Sequence, residues 1–239
     1  MKTKRILVVL ACAALVFIML PTPALADSTY DGLTVSGGAE GADYSYDSGG
    51  GVLTILTGTA LTLSGTTTVA KVVVQSGVTA DITLENANID VSVSGGSAFD
   101  TAGAIVNLTL EGTNAVKSGV GNDGGYDYGR AGIRVPAGAQ LIIGGTGSLD
   151  VTGGTVAGGH GGAGIGGNGS EDGGSVIING GTIRTTGGER NAGIGANGGC
   201  SVTVSGGSVT AQGGESSSGI GGSGSAGILT TINIIGGTV

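Results

Sequence analysis

Ala163-Gly164-Ile165-Gly166, Ala192-Gly193-Ile194-Gly195 and Ser218-Gly219-Ile220-Gly221 are three writings of one unit, set among polar Gly-rich loops, β-branched runs and Gly-Gly pairs. The step from Ile194 to Ile220 is 26 residues, and the same step carries Gly180 to Gly206 and Gly187 to Gly213. A fixed period of this length marks stacked repeats. Shifted by one step, Val176 falls on Val202, Ile178 on Val204 and Ile183 on Val209, while Ile177 falls on Thr203. Apolar residues therefore recur at every second position, the period of a strand with one buried face. The runs are short and the Gly-Gly pairs permit positive φ, so the chain turns sharply several times per unit.

An array of β-hairpins could carry similar alternation. Consecutive runs here lack the two-residue Asn-Gly turn, and equivalent positions repeat the same residue type at the repeat distance, which favours parallel stacking. The expected fold is all-β: a right-handed parallel β-helix, a solenoid with coils of about 26–34 residues. No coil can bury its apolar face alone, so Ile165, Ile194 and Ile220 should form one interior ladder.

Towards the N-terminus the spacing from Phe99 through Ile133, Ile165, Ile194 and Ile220 runs 34, 32, 29 and 26, as if one loop shortened while the coil stayed constant. Alternation is already present at Leu61 and Leu63, Val72 and Val74, Ile82 and Leu84, and Ile89, Val91 and Val93. Residues 27–51 are polar and hold Asp43-Tyr44-Ser45-Tyr46-Asp47; they are expected to cap the N-terminal end of a solenoid over 52–239. At the other end Gly236-Gly237-Thr238-Val239 aligns on Gly206-Gly207-Ser208-Val209, so the sequence stops inside a strand. Truncation is expected, with further coils or a cap beyond Val239, and self-association of the piece as given through Ile232 and Ile234.

Met1 to Ala26 reads as a signal peptide. Lys2, Lys4 and Arg5 precede an apolar run from Ile6 to Leu20, and Ala24-Leu25-Ala26 is a small-residue cleavage site. The expected location is therefore secreted, extracellular or cell-wall associated. Cleavage would remove three of the nine basic residues and none of the 17 acidic ones. So acidic a chain disfavours nucleic acid and anionic membranes, and no membrane insertion is expected. Cys12 leaves with the signal, and Cys200 occupies a slot equivalent to Gly174, which reads as a small turn residue.

Loops on a rigid scaffold are where binding resides. The longest, Ser118 to Arg130, gathers Asp123, Tyr126, Asp127, Tyr128 and Arg130, the candidate carbohydrate-binding residues. Tyrosine rings offer faces to sugar C–H surfaces, and carboxylates can meet hydroxyls or calcium. The same tyrosines could instead simply cover apolar surface. Smaller loops carry Asn168, Glu171 and Asp172, then Glu189, Arg190 and Asn191, then Glu215, a sparse acidic edge if the loops stack.

Other chemistries find less support. No Gly-Lys-Ser/Thr follows any Gly-rich loop, His160 is the only histidine, and the nonapeptide calcium pattern is absent. Asp81, Glu85, Asp90, Asp100 and Glu111 could supply a hydrolytic pair, and a lyase would need some of the few basic residues, Lys71, Lys117, Arg130, Arg134, Arg184 and Arg190. Fold alone does not imply activity, and the expectation is a non-enzyme with no catalytic residue.

Asp43-Tyr44-Ser45-Tyr46, Asp81-Ile82-Thr83-Leu84, Leu108 to Asn114, Ala131-Gly132-Ile133-Arg134-Val135-Pro136 and the Ala-Gly-Ile-Gly units together resemble Gly-rich repeat surface proteins, adhesin-like, of Gram-positive anaerobes. These are similar to carbohydrate-binding parallel β-helix proteins, including calcium-dependent binders of acidic plant polysaccharide. The resemblance implies export and a carbohydrate-binding or adhesion module for a polysaccharide or host or plant glycan, with calcium as a candidate cofactor and further domains in a longer parent. No calcium-ligand motif can be matched position by position. The alternative is a structural spacer that binds nothing, and a polysaccharide lyase or hydrolase ranks third.

Overall fold

The computed structural model describes residues 26–123, 125–222 and 230–239. Apart from Ala26, the expected signal peptide lies outside them.

All regular structure among these residues is strand. An eight-stranded sheet takes, in order, Tyr44–Asp47, Val52–Ile55, Lys71–Val74, Phe99–Asp100, Ile133–Arg134, Ile165–Gly166, Ile194–Ala196 and Ile220–Gly222. Every pairing in it is parallel except the first. A 13-stranded sheet carries two further rows. One row runs from the first half of Thr79–Asp90 through Ile105–Glu111, Gln140–Gly145, Ser175–Ile178 and Ser201–Val204 to Thr231–Ile234. The other runs from the second half of the same strand through Thr113–Lys117, Ser148–Thr152 and Thr182–Thr186 to Ser208–Gln212. Because Thr79–Asp90 is 12 residues long and belongs to both rows, the sheet curls round the interior as a half-barrel. The chain thus returns to the same three rows pass after pass, a partly solenoid-like arrangement.

The period-two pattern explains this packing. Val176, Ile178, Val202 and Val204 point inward and are buried, while Ile177 and Thr203 between them are only partly covered. On the third row Phe99, Ile133, Ile165, Ile194 and Ile220 pair in succession, and the first four are fully buried. Each such side chain contributes about 1.5–3 kcal/mol by leaving water. Corners close through buried amides, since backbone groups turned away from water need partners. Asn114 Oδ1 accepts from Ala87 N at 2.9 Å, and its Nδ2 donates to the Glu111 and Ser148 carbonyls at 3.0 and 3.1 Å.

Three places differ from the pattern reading. Val93 does not continue the alternation: it is 97% exposed, because the Asp90 carboxylate accepts the Ser92 N–H at 3.0 Å and turns the chain after Val91. Residues 27–51 look polar in sequence, yet Leu33, Val35 and Tyr44 are buried, and the Tyr30 and Tyr46 rings stack at 4.6 Å. Their strands Leu33–Ser36 and Tyr44–Asp47 pair antiparallel with the first strand of each parallel stack, Leu61–Thr67 and Val52–Ile55. The long corner loop also has regular structure. Val120–Asp123 and Tyr126–Gly129 form an antiparallel hairpin, held where Asn122 accepts from Gly125 N at 3.1 Å and donates to Asp127 at 3.0 Å. At the far end Thr231–Ile234 leaves Ile232 and Ile234 partly exposed, and Thr238 bridges Ser208.

Candidate functional site

Outward positions of the eight-stranded sheet line up as Thr54, Val73, Asp100, Arg134 and Gly166. Stacking places Asp100 and Arg134 side by side on neighbouring strands, where opposite charges attract. Arg134 Nη1 donates to Asp100 Oδ2 at 2.9 Å, and its Nε donates to Glu171 Oε2 at 2.9 Å, so one guanidinium holds two carboxylates. Their side chains are 20–31% exposed. The planar fork of arginine suits this double engagement.

The triad forms the floor of a groove of about 1100 Å³. The hairpin lines it through Val120, Gly121, Asn122 and Tyr128, the earlier strands through Val52, Lys71 and Val73, and the turns Ser94–Ser97 and Asn168–Glu171 complete it. The Tyr128 and His160 ring centroids lie 6.5 Å apart with the planes inclined at 26°, and Gly129 N donates to the His160 carbonyl at 2.8 Å, which ties the hairpin to the next loop. Asn168 Oδ1 accepts from Ala131 N at 2.8 Å and from Ser97 Oγ at 3.2 Å, tying two turns together. The groove crosses strands from Val52 to the turn at Glu171, about four strand spacings, or roughly 19 Å.

Burial alone would push the Glu171 carboxyl up, but hydrogen bonding and charge from Arg134, the Asn168 N–H and the charge of Arg130 together hold it below the ordinary glutamate value. Arg134 is held above its ordinary value, first by the hydrogen bond to Glu171, against the effect of burial, and then by the charge of Asp100. A carboxylate depressed in the folded state stabilises fully above its unfolded value, near about 4.3, and the contribution is lost as pH falls through the folded value. Glu171→Gln should therefore lower the Tm at neutral pH and flatten its fall below about pH 4.5. Thermal melts between pH 3 and 7 would measure this; an unchanged acid slope would rule out the coupling.

The sequence-derived site residues divide. Tyr128 and Arg130 line the groove, with the Arg130 guanidinium against Gly121. Tyr126 is 71% exposed, and neither it nor Asp127 is among the lining residues; both belong to the outer part of the hairpin. Asp123 pairs its backbone with Tyr126, and its side chain lies outside the described residues. The groove adds Lys71, Asp100, Arg134, Asn168 and Glu171. A sequence signal for the pair existed: aligning Phe99 with Ile133 places the next residues, Asp100 and Arg134, in register. Two carboxylates of the sparse acidic edge expected of the loops are engaged by neighbouring groups. Glu171 turns to Arg134, and Glu189 accepts the Gly158 N–H at 3.0 Å. Asn191 is buried and donates to the Gly161 carbonyl at 2.8 Å. Cys200 is buried, which pushes its thiol above the ordinary value.

Among the described residues no three His, Cys, Asp or Glu side chains gather as a metal site, and no helix is long and apolar enough to cross a membrane. Compared with known proteins, the chain matches no family model, no curated protein and no solved structure.

Proposed function

We propose that this chain is a right-handed parallel β-helix serving as a secreted or cell-surface carbohydrate-binding and adhesion module, with the groove beside the hairpin as its site. The observation that carries this reading is the groove itself: a long polar channel, walled by Tyr128 and crossing successive strands of a rigid stack. Small-molecule pockets are mostly apolar and enclosed, whereas an elongated polar chain needs an open channel with fixed hydrogen-bonding groups and an aromatic face. Asn168, Ser97 and the Arg134 cluster supply such groups, already oriented by their own hydrogen bonds. Location outside the cell rests on the character of Met1 to Ala26.

Hydrolysis is the weaker reading for this channel. A glycosidase needs one carboxyl kept protonated as general acid. Here Asp100 and Glu171 both face one guanidinium, and Glu171 is held in its charged form. Calcium has no comparable support, since no carboxylate cluster gathers among the described residues.

A glycan array with the purified protein tests the reading, using two single variants. Tyr128→Ala should weaken binding about tenfold by removing a stacking face, while Tyr126→Ala should leave it within about twofold. Equal loss in both variants would move the site to the outer part of the hairpin. A silent array would leave the structural spacer as the better account.

A further inference from the structure

We propose that the turn Asn168–Glu171 is an acid-released clasp in the lining of the groove: its first half is anchored by neutral hydrogen bonds, and its second half is closed by the ion pair between Glu171 and Arg134. The device does not depend on what the groove binds.

The two halves are held by different chemistry. Asn168 Oδ1 accepts from Ala131 N at 2.8 Å and from Ser97 Oγ at 3.2 Å, and Gly169 N donates to the Gly129 carbonyl at 3.1 Å. The Gly169 carbonyl accepts from Asn191 Nδ2 at 3.2 Å. None of these partners ionises, so the first half keeps its anchors at any pH the fold survives. The second half depends on charge. The Glu171 carboxylate accepts from Arg134 Nε at 2.9 Å and from Asn168 N at 3.2 Å, and Arg134 Nη2 donates to its other oxygen. That closure keeps the Glu171 N–H on the Asn168 carbonyl at 2.9 Å. The next anchor is Gly173, whose N–H donates to the Gly199 carbonyl at 2.9 Å, so the part that can open is Ser170 to Asp172, with Ser170 and Asp172 already exposed.

The two carboxylates on Arg134 are therefore unequal. Asp100 sits on the adjoining strand, in backbone register with Arg134, and the ladder keeps it there whatever its charge. Glu171 comes from a turn and has no ladder to hold it. The charged groups around it are Arg134 on its strand, Arg130 at the base of the hairpin, Asp100 on the far side of the Arg134 guanidinium, and Asp172 next in the turn. Burial opposes ionisation, but both arginines and the Asn168 N–H outweigh it and hold the carboxyl below the ordinary glutamate value. The clasp is thus fully closed above about pH 4.3 and is released as pH falls through the lower folded value, leaving Arg134 with Asp100 alone.

Amide hydrogen exchange on the full protein, read residue by residue by NMR and corrected for the intrinsic pH dependence of exchange, tests this. At pH 6, Glu171→Gln should lower protection of the amide at position 171 about tenfold, the worth of one charge-assisted hydrogen bond, and leave Gly169 within about twofold. The parent should show the same pattern on passing from pH 6 to pH 3. Asp100→Asn at pH 6 should leave position 171 within about twofold, because Glu171 keeps Arg134. Since the variants are read at pH 6, the test holds even where the parent unfolds in acid. Undiminished protection at position 171 in Glu171→Gln would overturn the clasp. Equal loss at Gly169 and at position 171 would overturn it as well, since the turn would then melt as one piece with no anchored half.

Discussion

Gly195→Ala should abolish the cooperative folding transition, or cost about 4 kcal/mol or more where a transition survives, whereas Gly144→Ala should stay within about 1 kcal/mol of the parent. Gly166, Gly195 and Gly221 are the second glycines of the three repeated units, and their φ values are 139°, 147° and 138°. That region of backbone space is essentially closed to residues with a Cβ and costs about 1–3 kcal/mol per residue when forced. A clash adds to the strain. A Cβ on Gly166 would fall on the Gly195 carbonyl oxygen, and one on Gly195 on the Gly221 carbonyl oxygen, well inside van der Waals contact. These are backbone atoms of paired strands, so relief would require neighbouring strands to part. Gly144 has open space where its Cβ would go and no unusual φ, which makes it the matched control. Denaturant melts of the two variants measure the difference; similar midpoints would mean that the glycine stack is not what sets the strand spacing.

Ile194→Asp is the second large effect. The side chain is fully buried and lies between Ile165 and Ile220 on the adjoining strands, among aliphatic neighbours with no cation. An ionised carboxylate there would be unpaired, and the neutral acid would still leave a polar group without a partner. The expected result is loss of a folded core at neutral pH, or destabilisation by about 4 kcal/mol or more. Thr203→Asp, at an outward position on Ser201–Val204, should cost less than about 1 kcal/mol. Circular dichroism on heating would compare them, and a cooperative melt for Ile194→Asp near the parent temperature would refute the ladder.

Much of the strand stacking was legible because it follows from spacing. Residues related by the 26-residue step, such as Val176 and Val202 or Ile183 and Val209, are the ones that pair in register. Even the short row Phe99, Ile133, Ile165, Ile194 and Ile220 could be placed, despite its unequal intervals, because a large apolar residue beside small ones recurs at each pass. Less legible was any strand whose partner is not a repeat. Leu33–Ser36 pairs antiparallel with Leu61–Thr67, and no periodicity links them. The hairpin Val120–Asp123 with Tyr126–Gly129 was likewise hidden, since Asn122 and Gly125 make its turn through side-chain bonds rather than through an Asn-Gly dipeptide.

The candidate site divides along the same line. Sequence alone pointed to Asp123, Tyr126, Asp127, Tyr128 and Arg130, because an unusual run of tyrosines and charges stands out against glycine and threonine, and of these Tyr128 and Arg130 line the groove. It could not assemble Arg134 with Asp100 and Glu171, which are 34 and 37 positions away, or bring Lys71 and Tyr128 to one groove. What the sequence by itself determined was the inward face of the repeated strands, since burial of alternate aliphatic residues depends on a period of two that can be read locally. What only the tertiary structure decided was the outward neighbourhood. Side chains on the outer face meet across strands a whole turn apart, and which of them meet depends on the length of every loop between. Those loop lengths bring one arginine beside two carboxylates in a channel that Lys71 and Tyr128 also line.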